Sequence, residues 1–269
     1  MHSNFSVVLI THERDKRNFY LRRSLNSILN QTIKPSEIII VNSGHNKIDL
    51  KEFRNLNKYK YKIIHCKLSS NIPSKRNIGA KNSNYGFLAF LDDDDYWSKE
   101  YLKNAYHKIN NNNFINVILS DVYISENKQL KIFRSPTSNN IEDYFVNNPG
   151  AMGSNIIIKK KIFESINGYD EKLIVSEDKA LIIDLIMNKI KISFQNNIVV
   201  YELNNPSSIS KNYKSLIIGF SEFYLKYKKI MPFQIRVSFL RKIYYYKQKN
   251  NKRYILIYLI FNFLEIFIK

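Results

Sequence analysis

The chain reads as an α/β protein: a doubly wound, mainly parallel sheet followed by a helical C-terminal appendage. Two observations predict the sheet. Short apolar runs rich in β-branched and aromatic residues alternate with helix-period segments through the first hundred residues. Each run is bounded by polar or turn residues, as buried strands are. A third predicts the appendage. From residue 206 onward the alternation stops, and the chain becomes basic and rich in Tyr and Phe.

The elements follow in order. Ser6–Ile10 predicts the first strand. Phe19–Asn30 predicts a helix, because Leu21, Leu25, Ile28 and Leu29 share one face, and Pro35 marks its exit. Glu37–Val41, Lys62–His65 and Phe87–Leu91 predict three further strands, with a helix at Ser74–Ser83 before the last. Strands joined by helical crossovers pair in parallel. Beyond them the pattern loosens. Ser98–Asn110 predicts a helix and Phe114–Ser120 a strand. Asn155–Ile158 and Asn197–Leu203 predict strands, and Lys160–Ile166 and Lys179–Lys189 predict helices. The chain thereby divides into segments 1–97, 98–205 and 206–269, with no internal repeat of fixed period.

Composition narrows the chemistry. The 269 residues are 44% hydrophobic and 24% charged, which excludes wholesale disorder. Cys66 is the single cysteine, so neither an intramolecular disulfide framework nor a four-Cys zinc site exists. The five histidines are scattered, so a metal here requires oxygen ligands. The net charge of +19 is concentrated late: residues 211–269 carry 13 Lys and Arg against Glu222 and Glu265. Such a segment fits an anionic partner, either nucleic acid or a lipid surface. The apolar run Phe5–Ile10 is too short for a signal-peptide core. Tyr254–Ile268 falls short of the roughly 20 residues that span hydrocarbon. It predicts a buried or interfacial helix, and a cytoplasmic protein.

Three stretches can carry chemistry. Asp92-Asp93-Asp94-Asp95 directly follows the apolar strand Phe87–Leu91. Four adjacent carboxylates repel one another unless a cation is present. The carboxyl end of a strand in an open α/β sheet is where ligands bind, and carboxylates there suit Mg²⁺ or Mn²⁺ holding a diphosphate. The blander account is an acidic turn before the helix near Ser98. Ser176-Glu177-Asp178 offers a general base in Asp178 or Glu177. Taken alone, an N-cap Ser176 with two acids at the helix start explains it equally well. Lys75-Arg76-Asn77 offers a cation for a nucleotide, or simply a solvated helix face. Glycine-rich phosphate loops and a G-x-S-x-G nucleophile are absent from the sequence.

Taken in order, these stretches resemble the family-2 glycosyltransferases, inverting nucleotide-sugar-dependent enzymes with the GT-A fold. Phe5-Ser-Val-Val-Leu-Ile-Thr-His-Glu-Arg14 resembles the family's first strand and following loop. Leu25–Thr32 with Pro35 and Glu37–Val41 is similar to its first helix and second strand. Ser74-Lys-Arg-Asn-Ile-Gly-Ala80 followed by Phe90–Trp97 resembles the donor-binding helix and the D-x-D region. Asn167-Gly-Tyr-Asp-Glu171 with Ser176–Asp178 resembles the stretch that supplies the base. The similarity covers roughly residues 5–190.

That resemblance implies a GT-A-type, Rossmann-like sheet, with 1–97 as the nucleotide-sugar half, 98–205 as the acceptor half and 206–269 as the helical segment. It implies that Thr11, Glu13 and Arg76 line the nucleoside pocket, and that Asp92 and Asp93 lie near the ribose and diphosphate. Asp94 becomes the ligand of Mn²⁺ or Mg²⁺, and Asp178 the base with Glu177 beside it. The family usually has acids after the second strand. Asn42-Ser43-Gly44 stands there instead, and Asn42 can still donate and accept hydrogen bonds to the base. The implied partners are a UDP-sugar before other nucleotide-diphosphate sugars, and a glycan or lipid-linked glycan acceptor in cell-surface polysaccharide or lipopolysaccharide assembly. An anionic membrane surface could meet residues 247–268, peripherally on the inner face. The competing classes are a sugar-nucleotide nucleotidyltransferase and a non-catalytic nucleic-acid- or membrane-binding protein. A nucleic-acid partner leaves Asp92–Asp95 unexplained, since uncompensated carboxylates repel phosphate, so none is expected.

Overall fold

The computed structural model describes residues 3–12, 18–44, 48, 53–126, 129–145, 147–201 and 212–268. The first part of the sheet is built from β1 (Phe5–Thr11), α1 (Asn18–Leu29), β2 (Glu37–Asn42), β3 (Lys60–His65), α2 (Ile72–Lys81) and β4 (Phe87–Asp92). After them come β5 (Tyr96–Trp97), α3 (Tyr101–Asn111), β6 (Val117–Glu126), β7 (Gln129–Arg134) and α4 (Ile141–Phe145). Then follow β8 (Ile156–Lys159), α5 (Lys160–Ser165), α6 (Glu177–Met187) and β9 (Ile192–Tyr201). The appendage is α7 (Tyr213–Tyr227), α8 (Phe233–Asn250) and α9 (Ile255–Ile268).

Among the described residues, nine strands form one mixed sheet in the order β3-β2-β1-β4-β8-β6-β9-β5, with β7 beside β6. The first four strands are all parallel, as the strand–helix alternation requires. Strand β8 runs antiparallel between β4 and β6 and so links the two halves of the sheet. Every residue of β1 and β2 is buried, the burial of strands covered on both faces. Successive residues of β1 serve opposite cores. Phe5, Val7 and Leu9 pack with Leu21, Leu25 and Ile28 of α1 and Tyr101 and Leu102 of α3. Val8 and Ile10 face Ala80 of α2, Phe163 of α5 and Leu181 and Ile182 of α6.

The structure departs from the sequence expectations at several elements, among them β5 and α4, which were not expected. Strand β9 starts at Ile192, because Ser193 and Gln195 belong to the ladder with β6; Glu202 and Leu203 of the expected strand lie outside the described residues. The hairpin strand β7 escapes the sequence reading because it is an edge strand, with Leu130 and Ile132 facing solvent. Of the two accounts expected for Tyr254–Ile268, a buried or an interfacial helix, the first does not hold. Tyr258, Phe261 and Asn262 of α9 are half-buried, Phe261 stacking on Tyr244 of α8, while Leu256, Leu259, Ile260 and Phe263 are exposed.

Helices α7 and α8 dock on α6, with Lys179 lying 5.8 Å from the Phe239 ring of α8. Tyr227 donates to the Asp184 carboxylate at 2.8 Å and to the Ala180 carbonyl at 3.1 Å. Lys226 pairs with Asp170 (3.0 Å) and Asp184 (2.9 Å). The buried Lys179 ammonium donates to the Phe145 carbonyl at 3.0 Å and lies 4.6 Å from the Phe223 ring.

Candidate active site

The sheet reverses its direction of growth between β1 and β4, since β2 and β3 lie on one side of β1 and β4 on the other. Ligands bind at the carboxyl ends flanking such a reversal, and Thr11, Asn42 and Asp92 end the three strands there. Thr11 is in register with Asn42, and Ile10 with Asp92. The Asn42 side chain is fully buried and accepts from the Gly44 N–H at 2.6 Å, closing the turn after β2. Glu13 lies outside the described residues.

Helix α1 fixes the backbone of the aspartate run. Arg23 Nη2 donates to the Asp94 carbonyl at 2.5 Å, and Ser24 bonds the carbonyls of Asp93, at 2.8 Å, and Asp95. The four carboxylates then separate by role. Asp93 turns inward, accepting from Thr11 Oγ1 at 2.6 Å and from the His12 N–H at 3.2 Å. Asp92, Asp94 and Asp95 each offer a carboxylate oxygen, all within 4.8 Å of one another. Three clustered hard oxygen donors fit Mg²⁺ or Mn²⁺. Asp95 has no role assigned from the sequence; only its place in the run could have marked it.

Arg76 is not on a solvated helix face. Its side chain is 1% exposed and joins three carboxylates. Nη2 bonds both oxygens of Asp92 at 3.0 Å. Nη1 bonds Asp178 at 2.8 Å and Glu177 at 3.1 Å. Tyr169 lies beneath, its ring centroid 5.1 Å from the guanidinium carbon. Arg76 therefore stands between the aspartate run and the Ser176–Asp178 stretch. Burial raises the pKa of Glu177, with Asp178 adding to the rise and Arg76 opposing it. Burial also raises that of Asp178, against Arg76 and with Asp92. Neighbouring Lys75 is buried too; burial lowers its pKa, with Asp93 and Asp92 opposing.

Local sequence explains why these groups meet. Gly79 lets α2 lie against β1: a Cβ there would sit 2.2 Å from Val8 Cγ1. Gly153 does the same on the other side, where a Cβ would fall 1.8 Å from Arg76 Nη2. Asn77 clamps the segment leading to α6. Its amide donates to the Tyr169 carbonyl (2.8 Å) and to Glu171 (2.9 Å), and its carbonyl accepts from the Tyr169 N–H (2.9 Å). Asn167 and Gly168 make that turn with φ of 62° and 69°. Ser176 precedes α6 with φ 67° and no capping bond from its side chain. An N-cap therefore does not account for the Ser-Glu-Asp stretch, and a non-glycine residue held in the left-handed region is the kind of strain found at functional sites.

A cleft of about 210 Å³ opens between Arg76, Asp92, Asp95, Gly153, Glu177 and Asp178. The Asp178 side chain is 18% exposed and that of Glu177 9%, so Asp178 is the more accessible of the two. The wall formed by residues 150–155 went unread in the sequence. Its Ser154 hydroxyl accepts from the Asp92 N–H at 3.0 Å, and its carbonyl from Trp97 Nε1 at 2.8 Å. The Gly- and Asn-rich stretch Asn148–Asn155, just before an apolar strand, was the available signal. The arrangement joins a carboxylate cluster able to hold a cation to a poised carboxylate able to take a proton.

Comparison with known proteins agrees with this geometry. The chain is 29% identical over 253 residues to an uncharacterized glycosyltransferase of Methanocaldococcus jannaschii, covering 90% of this chain and 83% of that one. Over 107 residues it is 32% identical to the poly(ribitol-phosphate) beta-N-acetylglucosaminyltransferase TarS of Staphylococcus aureus, 38% of this chain and 18% of that protein. The structure of S. aureus TarS residues 1–349 in complex with UDP-GlcNAc superposes with a TM-score of 0.64 at 20% identity, covering 93% of this chain and 74% of that one. That likeness shows a shared GT-A fold. The model of glycosyl transferase family 2 matches residues 6–166, and the chain belongs to that family.

Proposed function

We propose that this glycosyltransferase is an inverting, divalent-metal-dependent enzyme that moves a sugar from a UDP-sugar to a hydroxyl of a cell-surface glycan or lipid-linked glycan. One observation carries the reading. Asp92 and Asp95, which cluster with Asp94, line one cleft with the accessible carboxylate of Asp178, and the buried Arg76 guanidinium bridges Asp92 to Asp178.

Asp178 is the base in this proposal. Its carboxylate takes the proton from the acceptor hydroxyl as the oxygen forms a bond to the anomeric carbon and the bond to the diphosphate breaks on the opposite face. The anomeric configuration inverts, and the products are the glycoside and the nucleoside diphosphate. Arg76 holds Asp178 ionised and oriented, and Glu177 shares the same guanidinium. Asp94, with Asp95 and Asp92, would hold Mn²⁺ or Mg²⁺, which supplies positive charge against the charge developing on the leaving diphosphate. Asp93 ties the run to Thr11 beside the ribose and diphosphate. The nucleoside lies over the carboxyl ends of β1 and β2, near Thr11 and Asn42, and Glu13 stays a candidate from the sequence alone. Residues 1–97 form the donor half, and residues 98–205 the acceptor half.

The donor class is supported by the neighbouring TarS structures, which contain UDP-GlcNAc and UDP. The acceptor class is supported by a relative that acts on poly(ribitol-phosphate) and by a second named for minor teichoic acid biosynthesis. A donor screen tests the proposal. Purified protein is given UDP-, GDP-, dTDP- and CMP-sugars with Mn²⁺ or Mg²⁺, then with EDTA, and released nucleotide is measured. Turnover of a UDP-sugar that EDTA abolishes is expected. Turnover unaffected by EDTA would remove the metal, and a CMP-sugar as sole donor would remove the diphosphate leaving group.

A further inference from the structure

Helix α9 leaves a wide apolar face uncovered. Ile255, Leu256, Leu259, Ile260 and Phe263 recur at helical spacing, with Leu256 67% and Phe263 60% exposed. The opposite face packs on α8 through Tyr258 and Phe261, against Tyr245 and Tyr244. One side of the helix is thus satisfied by the protein. The other meets water across an area where soluble surfaces are normally mixed with charge.

The rim of this face is basic and aromatic. Lys249, Lys252 and Arg253 are exposed at the junction of α8 and α9, with Lys247 half-buried beside them. Lys247 lies 4.6 Å from the Tyr244 ring, and Arg253 lies 4.7 Å from that of Tyr254. Between Glu222 and Glu265 the sequence contains no acid and ten Lys and Arg. Tyrosine and lysine around an apolar patch is the composition that sits at the boundary of headgroups and acyl chains. The fourteen residues of α9 rise about 21 Å as a helix, short of the roughly 30 Å of a hydrocarbon core. Among the described residues no helix is long and apolar enough to cross a membrane. A helix packed on α8 along one face and apolar along the other is suited to lie in the plane of the interface.

We infer that the exposed face of α9, with its basic rim at Lys247–Arg253, docks on an anionic lipid bilayer. Charge selects that occupant. A second copy of the chain would bring the same uncompensated cations together, whereas an anionic leaflet neutralises them while the apolar face enters the acyl boundary. The inference is independent of the proposed reaction, because the test contains neither donor nor acceptor.

The test is flotation of the full chain with vesicles of phosphatidylcholine alone, or with 30% phosphatidylglycerol, at low and high salt. The wild-type protein is expected to float with the anionic vesicles and to lose most binding on the neutral ones. Each exchange, Lys249→Gln or Lys252→Gln, lowers anionic binding about fivefold. Leu256→Glu with Phe263→Glu abolishes flotation while the circular dichroism and melting temperature are kept. Should that double variant misfold, Leu256→Trp gives a second reading: its emission shifts to the blue on anionic vesicles and is quenched by lipids labelled in the acyl chain. Wild-type protein remaining in the load fraction would overturn the inference. So would an unshifted Leu256→Trp, or a vesicle-free oligomer that Leu256→Glu dissociates, which would assign the face to another copy.

Discussion

Replacing Arg76 with methionine keeps the aliphatic bulk and removes the one cation shared by Asp92, Glu177 and Asp178. Removing one partner of a buried ion pair costs about 3–5 kcal/mol. Asp92 and Asp178 are partly wetted, with side chains 25% and 18% exposed, so solvent screens part of the loss. We expect about 3 kcal/mol at pH 8, the lower end of that range. The loss must depend on pH. Burial already raises the Glu177 and Asp178 pKa values against the pull of Arg76, and without Arg76 both rise further. A raised carboxyl pKa stabilises the folded state fully below the unfolded value, about 4, and that contribution disappears as pH climbs through the folded value. The variant therefore approaches the wild type near pH 5 and falls away towards pH 8. Urea unfolding at both pH values measures this. Adding Asp178→Asn to Arg76→Met should recover about 1 kcal/mol at pH 8, because one uncompensated charge has gone. An equal loss at pH 5 and pH 8, or one below about 1 kcal/mol at pH 8, would refute the claim that this guanidinium neutralises buried carboxylates.

Other consequences follow from the same geometry. Asp94→Ala should abolish donor turnover in Mn²⁺ or Mg²⁺ with the melting temperature unchanged, since its half-buried carboxylate belongs to the cluster with Asp92 and Asp95; retained metal-dependent activity would move the ligand role to Asp92 and Asp95. Gly153→Ala places a methyl group where Arg76 Nη2 lies, which should cost about 1–3 kcal/mol in urea unfolding and reduce kcat by about 100-fold through displacement of the guanidinium. The acidic limb of kcat/KM should lie above the ordinary aspartate range because burial raises Asp178, and Arg76→Met should move that limb to still higher pH. A pH–rate profile of both proteins checks the order.

Much of the sheet was legible because β1, β2 and β4 are buried on both faces and so are written as unbroken apolar runs, such as Ile38–Val41. Helix α1 was legible for a complementary reason: Leu21, Leu25 and Ile28 are spaced by its own turn, and that stripe packs on β1. Short or exposed elements left no such trace. Strand β5 is two residues, Tyr96 and Trp97, and β7 turns Leu130 and Ile132 to solvent. In the site, the aspartate run announced itself through its position after β4. The division of labour within it did not, because Asp93 turns inward only where Thr11 and His12 offer hydrogen bonds from β1, 81 or more residues earlier. Arg76 shows the same limit. Helix α2 has a weak apolar stripe, so its sequence could not tell which residues face the sheet. The burial of Arg76 depends on Gly79 and Gly153, two close approaches visible only once α2 and the loop before β8 are brought together.

The central claim is that Asp178 accepts the proton of the attacking hydroxyl. Its most direct measurement compares wild type and Asp178→Asn for transfer from a UDP-sugar, alongside UDP binding by calorimetry on the same samples. The account predicts that kcat falls by about 10²–10⁴ while UDP affinity is unchanged, because the substitution removes a proton acceptor and leaves the β1, β2 and β4 ends intact. Transfer by Asp178→Asn at the wild-type rate would contradict it.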